Sequence, residues 1–60
     1  MIWVIYSFDR SNGYILDIQP RAYATKEQAE RIVQKADAIA RARKQGIGFD
    51  CQGLQVIDNV

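Results

Sequence analysis

Apolar and aromatic side chains dominate the start of the chain and predict two β-strands joined by a turn. The stretch Ile2 to Asp9 is rich in β-branched and aromatic residues, and so is the shorter stretch Tyr14 to Ile18. The segment that joins them, Asp9-Arg10-Ser11-Asn12-Gly13, consists mainly of turn formers. A β-hairpin is therefore predicted, and Pro20, which lacks a backbone donor, either ends the second strand or confines it to an edge.

The register of this hairpin follows from the pleat, because residues directly opposite each other share a face of the sheet. A two-residue turn at Asn12-Gly13 would place Phe8 opposite Asp17 and mix core with solvent positions. A three-residue loop ending at a left-handed Gly13 in a bulge avoids this mismatch. We favour that register, which gives two apolar pairs: Phe8 with Leu16 and Tyr6 with Ile18.

The favoured register gives the hairpin two unlike faces. One is continuously apolar and is predicted to be the core face beneath a helix: Ile2, Val4, Tyr6, Phe8, Tyr14, Leu16 and Ile18. The other has a smaller apolar group, Trp3, Ile5 and Ile15, bordered by polar residues that include Ser7, Asp9, Asp17 and Gln19.

The middle of the chain has the pattern of an amphipathic helix. Thr25 followed three residues later by Gln28 fits a capping box, so the helix is predicted to begin there and to run to about Gln45. Gly46 is predicted as the residue that follows the helix cap. One stripe of the helix is apolar and is expected to pack on the core face of the hairpin: Ala29, Ile32, Val33, Ala36, Ile39 and Ala40.

A last strand, about Leu54 to Asp58, completes a β-β-α-β order in one domain spanning residues 1–60. The predicted fold is α+β, a three-stranded and mainly antiparallel sheet in the order 2-1-3 with one helix on one face. The alternative places the last strand parallel beside strand two. Pro20 and the shorter apolar run of strand two suit an edge better.

The length of 60 residues is near the lower limit for a chain that folds alone. One cysteine and no histidine exclude a disulfide scaffold and a conventional zinc site, so no cofactor or metal is expected and a second chain is the predicted source of extra stability. The composition is that of an ordinary soluble protein, without a basic, cleavable leader or a long apolar run. A cytoplasmic protein is expected.

Catalytic chemistry has little support in the sequence. Without histidine, neither a Cys/His nor a Ser/His nucleophile pair can be built within one chain. The carboxylate of Asp50 next to Cys51 is expected to raise the thiol pKa and oppose its activation. Asp9 and Asp17 are the carboxylates that the register brings near each other, and we interpret them as solvated charges on a sheet face. The prediction is a protein that is not an enzyme.

The net charge of +1 conceals a basic helix end. Arg41, Arg43 and Lys44 follow one another without an intervening acid and could contact two or three phosphates. The same residues complement the negative end of the helix dipole. A sequence pI near 7.9 is also below the value of about 9 that is typical of dedicated nucleic-acid binders.

The predicted binding surface is the hairpin face that a single helix leaves bare. A tryptophan among apolar neighbours with a polar rim is typical of a protein interface, and the candidate residues are Trp3, Ile5, Ile15 and Asp17. The sequence therefore favours a non-catalytic interaction module: an accessory, inhibitor or regulatory protein that binds a larger protein and forms a homodimer. The alternative is a small nucleic-acid-binding regulator that uses Arg41, Arg43 and Lys44.

Overall fold

A computed structural model describes residues 1–55 of the chain, and these form three antiparallel strands and one helix. The elements are β1 (Ile2–Asp9), β2 (Ile15–Tyr23), α1 (Lys26–Ala42) and β3 (Ile47–Leu54). The sheet has the order β2-β1-β3, so the most apolar strand lies at its centre. The predicted β-β-α-β fold and strand order are confirmed.

The hairpin between β1 and β2 closes at Asp9 and Tyr14, where the Asp9 N–H donates to the Tyr14 carbonyl over 2.9 Å. Gly13 has a φ of +78°, the left-handed conformation that the sequence predicts. Tyr6 pairs with Ile18 as predicted, but Phe8 pairs with Ile15. The reason is a bulge, in which Leu16 is the extra residue between the pairs on either side of it.

Strand β2 continues past Pro20 to Tyr23 and is longer than the pattern predicts. The register shifts a second time between Val4 and Tyr6, opposite the segment that contains the proline. An edge strand tolerates this residue because its missing N–H deprives no neighbour of a hydrogen bond. The alternative that confines Pro20 to an edge is therefore the one observed.

The last described strand begins earlier than predicted: β3 runs from Ile47 to Leu54, and most of the predicted range, Leu54 to Asp58, lies outside the described residues 1–55. Two glycines in β3 have the appearance of turn signals in the sequence. In the fold they make room for aromatic rings of β1, because a Cβ on Gly48 would lie 2.4 Å from the Phe8 ring and one on Gly53 would lie 2.9 Å from the Trp3 ring.

Helix α1 begins as predicted, with the Thr25 side chain accepting a hydrogen bond from the Gln28 N–H at 3.3 Å. It ends earlier than predicted, at Ala42. Lys44, with a φ of 54°, takes the left-handed position expected for Gly46. The Gln45 N–H bonds the Ala40 carbonyl at 3.1 Å, which completes a Schellman motif.

The helix packs on the face opposite to the one predicted. It lies mainly against β3 and covers the side of β1 that carries Ile5, which is 0% exposed. The prediction considered the hairpin alone. Strand β3 places Phe49 and Cys51 on the Ile5 side and Asp50 and Gln52 on the other, so the helix finds more apolar surface beside Ile5.

The helical stripe is only partly buried. Ala29 and Ala40 are buried, Ile32, Val33 and Ala36 are half-buried, and Ile39 is 55% exposed. Together with Ile5, the two alanines are the buried hydrophobic residues of the described chain. The layer between helix and sheet is therefore a small core.

Candidate protein-interaction surface

The sheet surface turned away from the helix is apolar and uncovered; we call it the open face. Alternation along the paired strands places seven large apolar side chains on it: Ile2, Val4, Tyr6, Phe8, Ile15, Ile18 and Leu54. All of them belong to rigid strands rather than loops.

The side chains at the margins of the open face are more exposed than those at its centre. Ile15 and Ile18 on β2 are 60% and 59% exposed, and Leu54 on β3 is 44% exposed. Val4 and Tyr6 between them are half-buried. The raised margins enclose a groove of about 220 Å³, with Gln52 as its polar lining residue.

The polarity of the strands shows that the open face is the more apolar side of the hairpin. Strand β1 is apolar on both faces, as in strands buried on both sides. In β2 the apolar Ile15 and Ile18 share the open face with Phe8 and Tyr6, whereas Asp17 pairs with Ser7 on the helix side. The helix does not need apolar partners in β2, because it lies over β3 and β1.

The centre of the open face is aromatic. The Tyr6 and Phe8 ring centroids lie 6.1 Å apart at an interplanar angle of 49°, an arrangement favourable for aromatic pairs. Burial and the nearby Asp50 carboxylate raise the pKa of the Tyr6 hydroxyl. Tyr6 therefore stays neutral around pH 7, and Asp50 is a charge at the margin of this surface.

In both outer strands, an aspartate side chain accepts a hydrogen bond from the backbone N–H of the next residue. In β2 the Asp17 carboxylate accepts the Ile18 N–H at 2.9 Å, and in β3 the Asp50 carboxylate accepts the Cys51 N–H at 2.8 Å. Pro20 has no N–H to offer. These features make the sheet edges poor templates for an added strand.

The four predicted interface residues do not form one surface. Ile5 is fully buried under the helix, and Trp3 lies on the same side of the sheet with its ring against Gly53. Ile15 is on the open face, and Asp17 pairs with Ser7 on the helix side. The patch composed of Trp3, Ile5 and Ile15 is therefore wrong. The apolar side chains at alternate positions from Ile2 to Phe8 are the sequence signal for the open face, although their pattern alone predicts a core face.

A second concave region of about 420 Å³ lies between the first turns of α1 and the end of β3. Trp3 forms part of it, with the Lys26 ammonium 5.8 Å from its ring centroid and 3.6 Å from the Glu30 carboxylate. Cys51 also lines this region. Burial, and then the charges of Asp50 and Glu30, raise the pKa of its thiol, so Cys51 is not an activated nucleophile.

An ion-paired cluster joins the hairpin loop to the helix at the other end of the molecule. Asp37 accepts a hydrogen bond from Arg10 of the loop and forms a salt bridge with Arg41 of the helix, with an N–O distance of 3.0 Å. Partial burial of Asp37 opposes its ionisation, but the charges of Arg10 and Arg41 outweigh this effect and lower its pKa. The predicted nucleic-acid residues Arg41, Arg43 and Lys44 are exposed here, and the fold adds Arg10, which the sequence analysis did not include.

The Asp9 carboxylate stabilises the hairpin loop. Asp9 accepts from the Ser11 hydroxyl at 2.7 Å and from the Ser11 N–H at 2.9 Å, and these bonds lower the pKa of Asp9. Within residues 1–55 there is no group of three metal-ligating side chains. The same residues include no helix long and apolar enough to cross a membrane.

Comparison of the chain with protein-family models, with curated proteins and with solved structures finds no match. Function must therefore be argued from the surfaces described above.

Proposed function

We propose that this chain is a non-catalytic protein-interaction module, an accessory or regulatory protein whose contact surface is the open face. The observation that carries the proposal is the groove at Val4 and Tyr6, which has the exposed Ile15 and Ile18 at one margin and the exposed Leu54 at the other. An apolar patch of this kind, mounted on rigid strands and bordered by polar side chains, is typical of protein-binding sites.

The energy available from the open face is of the same size as the stability of a small domain. Full burial of an aliphatic side chain contributes about 1.5 to 3 kcal/mol, so covering Ile15, Ile18 and Leu54 from their present exposure adds roughly 2 to 5 kcal/mol per chain. A chain of 60 residues is typically stable by only about 3 to 9 kcal/mol. A bound partner would therefore change the population of folded chains substantially.

The titratable groups support a role without catalysis. The raised pKa of the Cys51 thiol keeps it protonated at neutral pH. The charge of Asp37 is compensated by Arg10 and Arg41, and the Asp9 carboxylate accepts a hydrogen bond from Ser11.

The free thiol of Cys51 also fits a reducing compartment, and we propose a cytoplasmic location for the protein.

A pair of matched substitutions tests the open face. Ile18 and Ile39 are the same residue type with similar exposure, 59% and 55%, but Ile18 lies on the open face and Ile39 on the helix. Tagged wild-type, Ile18→Lys and Ile39→Lys chains would be used to capture proteins from the source cells. We expect a protein that the wild type and Ile39→Lys capture equally and that Ile18→Lys loses.

Far-ultraviolet circular dichroism of all three chains shows whether each variant is folded. The proposal is wrong if folded Ile18→Lys retains every captured protein and also the self-association of the wild type. A captured protein lost only with Ile39→Lys would move the binding surface to the helix.

The basic end of the molecule supports a second candidate function, contact with nucleic acid. The fold places Arg10 beside the helix end, so that it extends the exposed set Arg41, Arg43 and Lys44. Asp37 offsets part of this charge. Binding of this kind relies on phosphate contacts and weakens steeply with added salt.

Fluorescence anisotropy with a single-stranded and a double-stranded oligonucleotide distinguishes this candidate. Wild type and the double variant Arg43→Glu, Lys44→Glu would be compared at several salt concentrations. A salt-dependent affinity that the double variant loses supports nucleic-acid contact. No affinity at low salt, or equal affinity of both proteins, excludes it.

A further inference from the structure

We propose that the occupant of the open face is a second copy of this chain, packed face to face about a two-fold axis. This inference rests on the proposed function and names the partner. The resulting dimer is a sandwich of two sheets with one helix on each outer side.

The relief of the open face is self-complementary. Its β2 margin, with Ile15 and Ile18, stands above the groove between Val4 and Tyr6. A two-fold operation places the β2 margin of each copy over the groove of the other, since the same patch serves both sides of such an interface. Two apolar faces of twisted sheets pack in this way about 10 Å apart.

The sheet edges favour this arrangement over pairing of strands between chains. The Ile18 N–H of β2 and the Cys51 N–H of β3 already donate to Asp17 and Asp50. Pro20 interrupts the outer row of β2. Association through a continuous sheet would have to break these local hydrogen bonds, whereas association through the open face leaves them intact.

The area of the face is close to the lower limit for a specific dimer. Strands of eight, nine and eight residues span roughly 26 by 14 Å, using about 3.3 Å per residue and 4.8 Å between strands. Two such faces, when fully covered, remove about 750 Å² in projection. The relief of the side chains raises this toward the roughly 1,000 Å² at which specific interfaces begin. Interfaces of this size belong to the weak, transient class, so we expect dissociation in the micromolar range.

Charge also favours a second copy over a lipid or nucleic-acid surface. The seven large side chains of the open face are uncharged, and β3 adds the acidic Asp50 to the same side of the sheet. An anionic surface would be repelled by Asp50. A second copy of the open face avoids this repulsion when the two Asp50 side chains lie at opposite margins of the interface and remain hydrated.

The wild-type chain alone provides the first test. Sedimentation equilibrium from about 1 to 500 µM should show the mass rising from 6.8 kDa toward twice that value. The melting temperature should rise over the same range, because dimer formation stabilises the folded state by mass action. A constant monomer mass with a constant melting temperature overturns the dimer.

Substitutions locate the interface. Ile18→Lys should weaken dimerisation by about 100-fold or more, because each copy would bury an unpaired ammonium. Ile39→Lys, the matched control, should change it less than about threefold. If Ile18→Lys does not fold, Ile18→Ala replaces it and should weaken dimerisation by about tenfold. A dimer that resists the Ile18 variants, or that Ile39→Lys abolishes, overturns the proposed interface.

A distance measurement excludes other geometries. Spin labels attached to Lys35→Cys in a Cys51→Ser background report on the exposed side of the helix. Face-to-face packing separates the two helices by three layer spacings, about 30 Å, so the labels should lie at least that far apart. Label distances below about 20 Å would identify a helix-to-helix dimer and overturn the inference.

The outcomes separate the two proposals. A monomer at every concentration that nevertheless loses a captured protein with Ile18→Lys disproves the homodimer and leaves the open face as a binding surface for another protein. A monomer whose captured proteins are unaffected by Ile18→Lys disproves both.

Discussion

Lys44 occupies a conformation that side chains rarely adopt. Its φ of 54° closes the Schellman motif at the end of α1, a position usually held by glycine. The sequence predicts this role for Gly46, two residues further on, which itself has a φ of +68°. A residue with a Cβ in this region is strained, so the end of the helix is a place where the chain can be stabilised.

We expect Lys44→Gly to raise the free energy of unfolding by about 0.5 kcal/mol, the relief of left-handed strain less the entropy of a new glycine. Arg43→Gly is the matched control, because Arg43 also carries one positive charge but has a φ of −88°. It should lower the free energy of unfolding by about 0.5 to 1 kcal/mol. Urea denaturation measures both, and a loss of stability in Lys44→Gly would contradict the argument.

Gly48 and Phe8 are cross-strand neighbours, and the Phe8 ring fills the space that a side chain at position 48 would need. They are opposite each other in β1 and β3, and a Cβ on Gly48 would overlap the Phe8 ring, with its nearest atom at 2.4 Å. The ring therefore lies across the neighbouring strand at the glycine. This contact explains how a glycine-containing segment becomes a strand.

Gly48→Ala should destabilise the protein by about 1 to 3 kcal/mol, because the Phe8 ring must move from its position. In a Phe8→Ala background the same change should be neutral or stabilising by up to about 1 kcal/mol, since alanine is better than glycine in a strand. A double-mutant cycle by urea denaturation gives the coupling between the two sites. Equal effects of Gly48→Ala in both backgrounds would show that the ring does not set this position.

Among the secondary-structure elements, those determined by neighbouring residues are the ones that the sequence pattern predicts correctly. The β-branched run of β1, the loop that ends at Gly13 and the Thr25 cap each act through neighbouring residues. The hairpin and the start of the helix are present as predicted, although Phe8 pairs with Ile15 and not with Leu16. Strand β3 was missed because its glycines are explained only by aromatic rings of another strand. Such a contact is not visible in the segment itself.

The side of the sheet that the helix covers is decided by three elements together. The hairpin alone favours the wrong face, since its larger apolar surface includes Val4, Tyr6 and Phe8. With β3 in its observed position, Phe49 and Cys51 lie on the same side of the sheet as Ile5. Together they form the apolar surface against which the helix packs, on the side opposite to Val4, Tyr6 and Phe8. An error of one strand thus moved the predicted interface to the wrong side of the sheet, although the reasoning that one face stays bare still applies.

At the scale of the whole molecule, Asp37 connects parts of the chain that are distant in sequence. Its carboxylate joins Arg10 in the hairpin loop to Arg41 in the helix, and the Arg10 guanidinium also donates to the Ile47 carbonyl at 3.1 Å. The charges of Arg10 and Arg41 lower the pKa of Asp37 against the opposing effect of burial. Hairpin, helix and β3 are therefore held together at one corner by contacts that include one ionised carboxylate, that of Asp37.

A carboxyl group whose pKa is lower in the folded chain than in the unfolded chain stabilises the fold above its unfolded pKa, about 3.9 for aspartate. That contribution is lost as the pH falls through the folded value. The free energy of unfolding should therefore decline below about pH 4. Asp37→Asn should reduce the stability at pH 7 and flatten the decline, and Arg10→Met should act in the same direction by removing the partner.

Urea denaturation at a series of pH values from 7 to 2.5 measures this dependence at one fixed protein concentration, which keeps any association constant. Ser11→Ala provides a comparison, because it removes the hydroxyl that lowers the pKa of Asp9 without affecting the corner at Asp37. If Asp37→Asn and Arg10→Met leave the acid decline as steep as in the wild type, the corner does not contribute to pH-dependent stability. If the two substitutions combined cost less than the sum of their separate effects, the contacts between Arg10 and Asp37 account for the difference.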